Sequence, residues 1–423
     1  MKEKEQGCIT IEGGTRLEGI SGKGVLGMKG NALVMAITES FGQGVLFLIS
    51  PFWSLYILEL GASLTIVGFL GLILGLTRIT FQAPVGYLTD RMGRKRLVVW
   101  GGFISSLAPF VYFFATKWEH LILGVVLEAS TNIVLPARQA MFADAIDPDK
   151  RASAFASIHT LFALFSSVMP VIGGYLLESI GFLSGMRLLF LVSGVVMILA
   201  SLGRALLLKE DPHFGEGPPE KVNFVRVIHE MFEPILNLKA LRIVALGAFF
   251  YSIAVGILTK FSVVYVVDII GLSTMQWGLV AGGIGVVGIL TRIPIGWMVD
   301  RFSRKMCIFV SYAIRPVFIL AFTLATNFRS VILILMADNI FGYIQQPALE
   351  AFVADVASKE RRGRTYGIMN MIPGITLTIA PMLGAFIWES YGAAWSFYCS
   401  AFFSALAAFV LLVFLQEPET KEV

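Results

Sequence analysis

The chain has 423 residues, of which 56% are hydrophobic and only 15% charged, with a mean hydropathy of +0.78. Soluble globular domains carry roughly a quarter charged residues, so this composition excludes that class and marks an integral membrane protein. The net charge of +4 sits in loops between apolar runs, which ties it to membrane topology and excludes a nucleic-acid partner.

In hydrocarbon only helices or closed barrels satisfy the backbone, and the apolar runs here are continuous over about 20 residues, so the chain is read as all-α. Residues 1–29 are polar and glycine-rich, without the apolar core and small-residue cleavage site of a signal peptide, and are expected to form a cytoplasmic tail. Six spans follow, near 31–58, 63–88, 96–116, 121–143, 152–177 and 186–208. A charged linker at 209–240 separates them from six more, near 241–268, 273–298, 306–326, 330–353, 365–388 and 393–415, and 416–423 form a second tail. Residues 222–236 of the linker have a weak amphipathic pattern, suited either to a surface helix or to a polar connection. The expected domains are a six-helix bundle over 30–208 and another over 241–415.

Basic residues set the orientation. Loops after spans 2, 4, 8 and 10 hold thirteen of them, from Arg91, Arg94, Lys95 and Arg96 to Arg364, against only Lys117, Arg187 and Arg329 on the other side. The positive-inside rule therefore puts both termini and the linker in the cytoplasm of a multi-pass cell-membrane protein. Cys8, Cys307 and Cys399 have no metal-ligand spacing and no evident disulfide partner. No metal or cofactor is expected.

The chain repeats itself. "GYLTDRMGRKR" after span 2 and "GWMVDRFSRK" after span 8 share a layout, with Asp90 and Asp300 separated by 210 residues. Pro136, Asp144 and Arg151 fall on Pro347, Asp355 and Arg362 at an offset of 211, as does "PVIGGYLLESIG" on "PMLGAFIWESYG". Two parallel six-span repeats about an axis along the membrane normal are one design of secondary transporters.

With these residues in hand, the chain resembles the major facilitator superfamily over nearly its whole length. Gly86, Leu88, Asp90, Arg91, Gly93, Arg94 and Lys95 fit that family's signature between spans 2 and 3, and Asp300, Arg301, Arg304 and Lys305 fit the second copy, where Ser303 replaces the glycine. The resemblance implies a cytoplasmic gate. Gly86 permits close approach to span 11, Asp90 accepts from the N-terminal end of that helix, and Arg94 pairs with Asp90 or Asp144. Within the family the drug/proton antiporter branch is nearest: Pro170, Gly173 and Gly174 keep part of its span-5 pattern and imply a bent, closely packed helix. Met169 stands where that pattern has a glycine, and Gly124 where the branch usually has an arginine.

The family also implies that spans 1, 4, 7 and 10 line a central cavity. Span 1 carries Glu39, Gln43, Ser50 and Ser54 on one helical face; span 4 carries Glu128, Asn132 and Gln139; span 7 carries Lys260; span 10 carries Asn339, Tyr343, Gln346 and Glu350 with Asp338 and Gln345 beside them. Intramembrane charges are costly and are kept in pairs or for function, so Glu39, Gln43, Glu128, Asn132, Lys260, Asp338, Asn339, Tyr343 and Gln346 are the substrate and proton-coupling candidates. Any one of them alone also suits a structural pair between helices. Arg315 reads as a structural partner or a headgroup-facing residue, His159 as packed, and Arg138 with Glu350 as a cancelling pair. Counting Glu39, Glu128 and Asp338 against Lys260 gives the expected cavity a charge of −2, which suits an amphipathic organic cation.

The expectation is a monomeric secondary transporter with alternating access, exporting such cations in exchange for protons carried by Glu39, Glu128 or Asp338. A uniporter or symporter for a sugar, organic anion or other metabolite is an alternative, as are a channel and a non-transporting receptor on the same fold. Neither His-Glu-x-x-His nor Gly-x-Ser-x-Gly occurs and there is no P-loop string, so an enzyme or an ATP-driven pump is not expected.

Overall fold

The computed structural model describes residue 28 and residues 30–146, 151–209, 238–357 and 362–415, and excludes the side chains at 79, 82–92, 132, 136 and 151–153. Among the described residues twelve rods follow one another. In the first half they are α1 (Gly30–Glu59, with a 3-10 turn at Ser50–Phe52), α2 (Leu64–Met92), α3 (Arg94–Phe114), α4 (consecutive helices His120–Ile133 and Leu135–Asp144), α5 (Arg151–Ile180) and α6 (Phe182–Leu207). In the second they are α7 (Lys239–Ile269, ending in a π turn), α8 (Thr274–Arg301), α9 (Arg304–Thr323), α10 (Phe328–Val356), α11 (Arg362–Tyr391) and α12 (Ala393–Phe414). Ten of the twelve rods meet the length and hydropathy of a membrane span over their described residues; α2 and α4 contribute shorter apolar stretches, Leu64–Arg78 and His120–Thr131. The fold is the expected one, two six-helix bundles. The expected tails and almost all of the linker, with its amphipathic stretch, lie outside the described residues.

Local chemistry ends the rods where the sequence changes character. Gly61, Gly93, Gly181, Gly271 and Gly392 turn the chain at φ of +79° to +101°, a region that costs a residue with a Cβ but not glycine. Ser273 with Gln276 and Asn327 with Ser330 form capping boxes at the starts of α8 and α10, and Ser303 accepts from the Met306 amide at the start of α9. Within the second bundle, buried hydroxyls of α12 tie it to its neighbours: Ser396 donates to the Gly384 carbonyl, Ser400 to that of Ala254 and Ser404 to that of Tyr312. Such bonds replace the water that lipid does not supply.

The bundles meet chiefly along two helix pairs, α5 with α8 and α2 with α11, with smaller contacts from α1 to α7 and α8. Glycine makes both contacts close. A Cβ on Gly278 would lie 2.4 Å from the Pro170 carbonyl oxygen, one on Gly282 2.4 Å from that of Ser167, and one on Gly68 2.9 Å from the Met382 nitrogen. Across the same seam the Trp277 indole donates to the Pro51 carbonyl at 2.9 Å. These contacts fall from the membrane middle toward the Gly61 and Gly271 turns, so the molecule is closed on that side. On the opposite side, where the basic loops are, the Asp300 carboxylate is 76% exposed and is partnered by Arg304 of its own bundle.

Candidate functional site

A cavity of about 490 Å³ opens in the first bundle between α1, α2, α3, α4 and α6, with Lys260 of α7 as its contribution from the second bundle. Its walls are apolar and aromatic, with Trp53, Tyr112 and Phe190 among the lining residues. The Trp53 and Tyr112 rings lie 4.7 Å apart, and Phe190 stands edge-on to Trp53 at 6.1 Å. A few polar groups interrupt this surface, the usual make-up of a small-molecule pocket.

Glu39 lies in the cavity wall and is clamped. Arg138 of α4 reaches it at 2.9 Å and Arg204 of α6 at 3.1 Å, with the three side chains only 16%, 11% and 9% exposed. Arg204 also donates to the Thr38 hydroxyl at 2.9 Å, and Gln43 donates to Glu39 at 3.3 Å. Arg138 therefore does not offset Glu350, which instead accepts from Gln346 at 2.6 Å. Reach explains the difference: Glu39 and Arg138 line the same cavity, whereas Glu350 is itself exposed on α10 and is not among the residues lining it.

Glu128 has a different environment. It accepts a hydrogen bond from the Tyr112 hydroxyl at 2.8 Å, and Lys260 acts on it electrostatically from the other bundle. Among the described residues no cation lies within ion-pair distance of it. Gly124 makes this arrangement possible, because a Cβ there would sit 2.1 Å from the Tyr112 ring. The absence of a side chain at Gly124, which the family resemblance sets where the drug/proton branch usually has arginine, leaves room for the ring that reaches Glu128.

Asp338 is not in the cavity lining. It forms a two-pronged ion pair with Arg315 of α9 at 3.1 and 3.0 Å, with Asp338 only 2% exposed, and the guanidinium lies 5.0 Å from the Tyr251 ring centre. Arg315 is thus the structural partner and does not reach toward headgroups. Asn339 donates to the Leu335 carbonyl of its own helix, and Tyr343 donates to the Ile284 carbonyl of α8. Of the span-1 stripe, Glu39, Gln43 and Ser50 line the cavity and Ser54 is buried elsewhere. The Asn132 side chain lies outside the described residues, and His159 is exposed, edge-on to Phe162. In the lining, three cations (Arg138, Arg204 and Lys260) face two carboxylates (Glu39 and Glu128). The charge is therefore +1 and not −2, because Asp338 is neutralised outside the cavity, Arg138 enters the lining instead of offsetting Glu350, and Arg204 adds a third charge that the sequence did not reveal. An arginine near the end of an apolar span reads as a flanking residue, and only the fold turns it inward.

Of the gate residues, Gly93 makes the turn between α2 and α3, and Arg94 pairs with Asp144. The second copy repeats this: Arg304 lies 3.6 Å from Asp355 and 3.7 Å from Asp300. Arg301 is exposed. The side chains of Asp90 and Arg91, and the surroundings of Gly86, lie outside the described residues. Helix α5 continues through Pro170. A Cβ on Gly173 would meet the Leu48 carbonyl oxygen at 2.4 Å, and one on Gly174 that of Thr274 at 2.6 Å.

Comparison with known proteins agrees with this architecture. The family model described as Major Facilitator Superfamily matches residues 33–314 and 244–423. Multidrug resistance protein 1 of Bacillus subtilis is 24% identical over 339 residues, covering 78% of this chain and 82% of the relative. Multidrug resistance protein MdtG of Proteus mirabilis is 22% identical over 378 residues, covering 87% and 90%. Among solved structures, a bacterial homologue of the human lysosomal transporter Spinster, inward-facing and unoccupied, superposes with a TM-score of 0.77 at 16% identity over 90% of this chain and 96% of that one. The nucleoside transporter NupG gives 0.74 at 13% identity over 92% and 100%. At such identities the structures show the fold, and the family match shows the lineage: the chain belongs to the Major Facilitator Superfamily of membrane transporters.

Proposed function

We propose that this transporter works by alternating access, with 30–208 and 241–415 as the two moving bodies, and exports amphipathic organic compounds in exchange for protons as a monomer of the cell membrane. The observation that carries the reading is Glu128, the cavity carboxylate without an arginine clamp, set opposite Lys260 of the other bundle. A proton or a substrate cation taken up by Glu128 changes the attraction between Glu128 and Lys260, and so couples occupancy to the fit between the bundles. The aromatic and apolar wall suits a nonpolar body, and two relatives bear multidrug-resistance names. Protonation of Glu128 and binding of a cation compete, so affinity for a cation falls as the pH falls.

The test uses reconstituted protein with a lipophilic cation, tetraphenylphosphonium. Glu128→Gln is expected to abolish flux driven by a pH gradient while leaving exchange of the cation across equal pH, at a lowered affinity that no longer varies with pH. Gradient-driven flux retained by Glu128→Gln overturns the assignment of the proton to Glu128. A second reading rests on the lining charge of +1: an amphipathic anion held by Arg138, Arg204 and Lys260. Tight binding of such an anion, lost in Lys260→Ala and absent for the cation, selects that reading.

A further inference from the structure

We propose that Glu178 and Glu389, one at the end of α5 and one at the end of α11, are a repeat-related pair of latches that hold the two bundles together on the closed side. Each reaches across the seam to the first turn of a helix in the other bundle. Glu389 accepts the Thr65 backbone N–H at 2.9 Å with one oxygen and the Thr65 hydroxyl at 2.7 Å with the other, at the start of α2. Glu178 accepts the Met275 backbone N–H at 3.1 Å, at the start of α8, while Thr274 beside it donates to the Gly174 carbonyl. The glutamates are 211 residues apart and the two amides 210, so both latches use the equivalent carboxylate and backbone amide of the repeated unit, and the Thr65 hydroxyl adds a second bond to Glu389 alone. The Glu-Ser-x-Gly endings that carry the glutamates, Glu178 to Gly181 and Glu389 to Gly392, are part of the repeat and have no role in the cavity.

The chemistry is that of a carboxylate at a helix N-terminus. The first four N–H groups of a helix have no partner within it, and the positive end of the helix dipole attracts an anion. The two latches differ in strength for a visible reason. Ser273 caps α8 itself through its box with Gln276, so Glu178 takes one further amide, that of Met275, at an end that already has a cap of its own. Ser63 makes no side-chain capping bond to α2, so Glu389 of the other bundle supplies the missing cap. Closing the seam completes a helix end that opening leaves exposed, and Glu389 is the stronger latch.

The basic-loop side holds the counterpart in the opposite state. Asp300 occupies the position equivalent to Asp90, which the family resemblance assigns to a helix N-terminus across the seam, yet its carboxylate is 76% exposed and its partner is Arg304 in the same bundle. Among the described residues the seam therefore has engaged carboxylates at one face, Glu178 and Glu389, and at the other Asp300, which is not engaged across it. A rocking motion would exchange the two sets, and this step rests on the alternating-access reading above.

The experiment measures opening of the closed side without any substrate. Spin labels are placed at Lys117→Cys, in the loop before α4, and Thr326→Cys, in the loop before α10, in a background with Cys8, Cys307 and Cys399 replaced by serine. Distances are read in lipid nanodiscs. Glu178→Gln and Glu389→Gln each keep the side-chain shape and remove the charge, and each is expected to raise the population with a long inter-label distance roughly two- to fivefold, as the loss of a charge at a helix terminus implies. Glu389→Gln gives the larger shift, the double variant multiplies the two, and Thr65→Val gives a shift smaller than Glu389→Gln. Purely structural glutamates would lower the melting temperature and leave the distance distribution at its wild-type form, and that result overturns the latch. A wild type that interconverts between short and long distances while the double variant does the same in equal proportion overturns the latch and leaves alternating access standing. A wild type and double variant both fixed at the short distance overturn both.

Discussion

Asp338 and Arg315 show why a charged residue inside a span does not by itself identify a transport site. Both sit on helices of the second bundle, both are nearly inaccessible, and the guanidinium fills its remaining surface against Tyr251 while Tyr251 stacks on Tyr312 at 4.1 Å. Removing one member of such a pair leaves an unpaired charge where there is no water, a cost of about 3–5 kcal/mol. Asp338→Asn and Arg315→Met are each expected to lower the melting temperature of the purified protein steeply, whereas the double change to residues of similar volume, Asp338→Leu with Arg315→Met, recovers most of the loss. Melting of all three variants in one detergent checks this; single variants as stable as wild type would show that the pair does not hold the bundle. The sequence displayed Asp338 and Arg315 as separate intramembrane charges with no means of joining them, because a pairing between α9 and α10 depends on helix rotation. The same blindness applied to Arg204 and Glu39, which are 165 residues apart and bonded.

At the scale of the element, what the sequence showed best was where helices begin and end. The twelve spans followed from continuous apolar runs broken by Gly, Pro and charge, since the thickness of hydrocarbon fixes the length that a helix needs. Gly173 and Gly174 also carried a readable signal, that α5 packs closely, but the partners did not show: Gly173 lies against Leu48 and Phe52 of α1, Gly174 against Thr274 and Met275 of α8, and Gly278, Gly282 and Gly285 of α8 continue the contact with α5. The seam has an energetic consequence. A Cβ on Gly282 would come within 2.4 Å of the Ser167 carbonyl oxygen and 2.7 Å of Val171, and overpacking of this kind costs about 1–3 kcal/mol. Because the cost falls only on the state in which α5 and α8 are in contact, Gly282→Leu is expected to open the closed side rather than unfold a bundle. Thiol labelling of a Ser50→Cys probe in the cavity, with reagent offered from the closed side, should speed up roughly tenfold or more, in line with that cost. An unchanged labelling rate would mean that the seam tolerates bulk and does not control access.

For the whole molecule, the doubled sequence predicts a doubled structure, and the correspondence extends to details that no single motif announces: Arg94 with Asp144 repeats as Arg304 with Asp355, and Thr65 with Glu389 repeats as Met275 with Glu178. The cavity does not follow the repeat. It lies almost wholly in the first bundle, and the polar face of α10 that mirrored α4 in the sequence makes its hydrogen bonds within the second bundle, Asn339 in its own helix and Tyr343 to α8. Orientation is the property that links the two sides of the molecule to the cell. With thirteen basic residues in the loops after spans 2, 4, 8 and 10 against three on the other side, the positive-inside rule leads to the expectation that the Asp300 side is cytoplasmic and the closed side is the outer one. With Cys8, Cys307 and Cys399 replaced by serine, Lys117→Cys in the loop before α4 is expected to react with a membrane-impermeant maleimide on intact cells, while Phe302→Cys, exposed at the end of α8, reacts only after the membrane is permeabilised. The two positions lie at opposite ends of the rods, so the reverse pattern would invert the molecule: the cavity of this structure would then face outward, and the glutamate latches would close the cytoplasmic side.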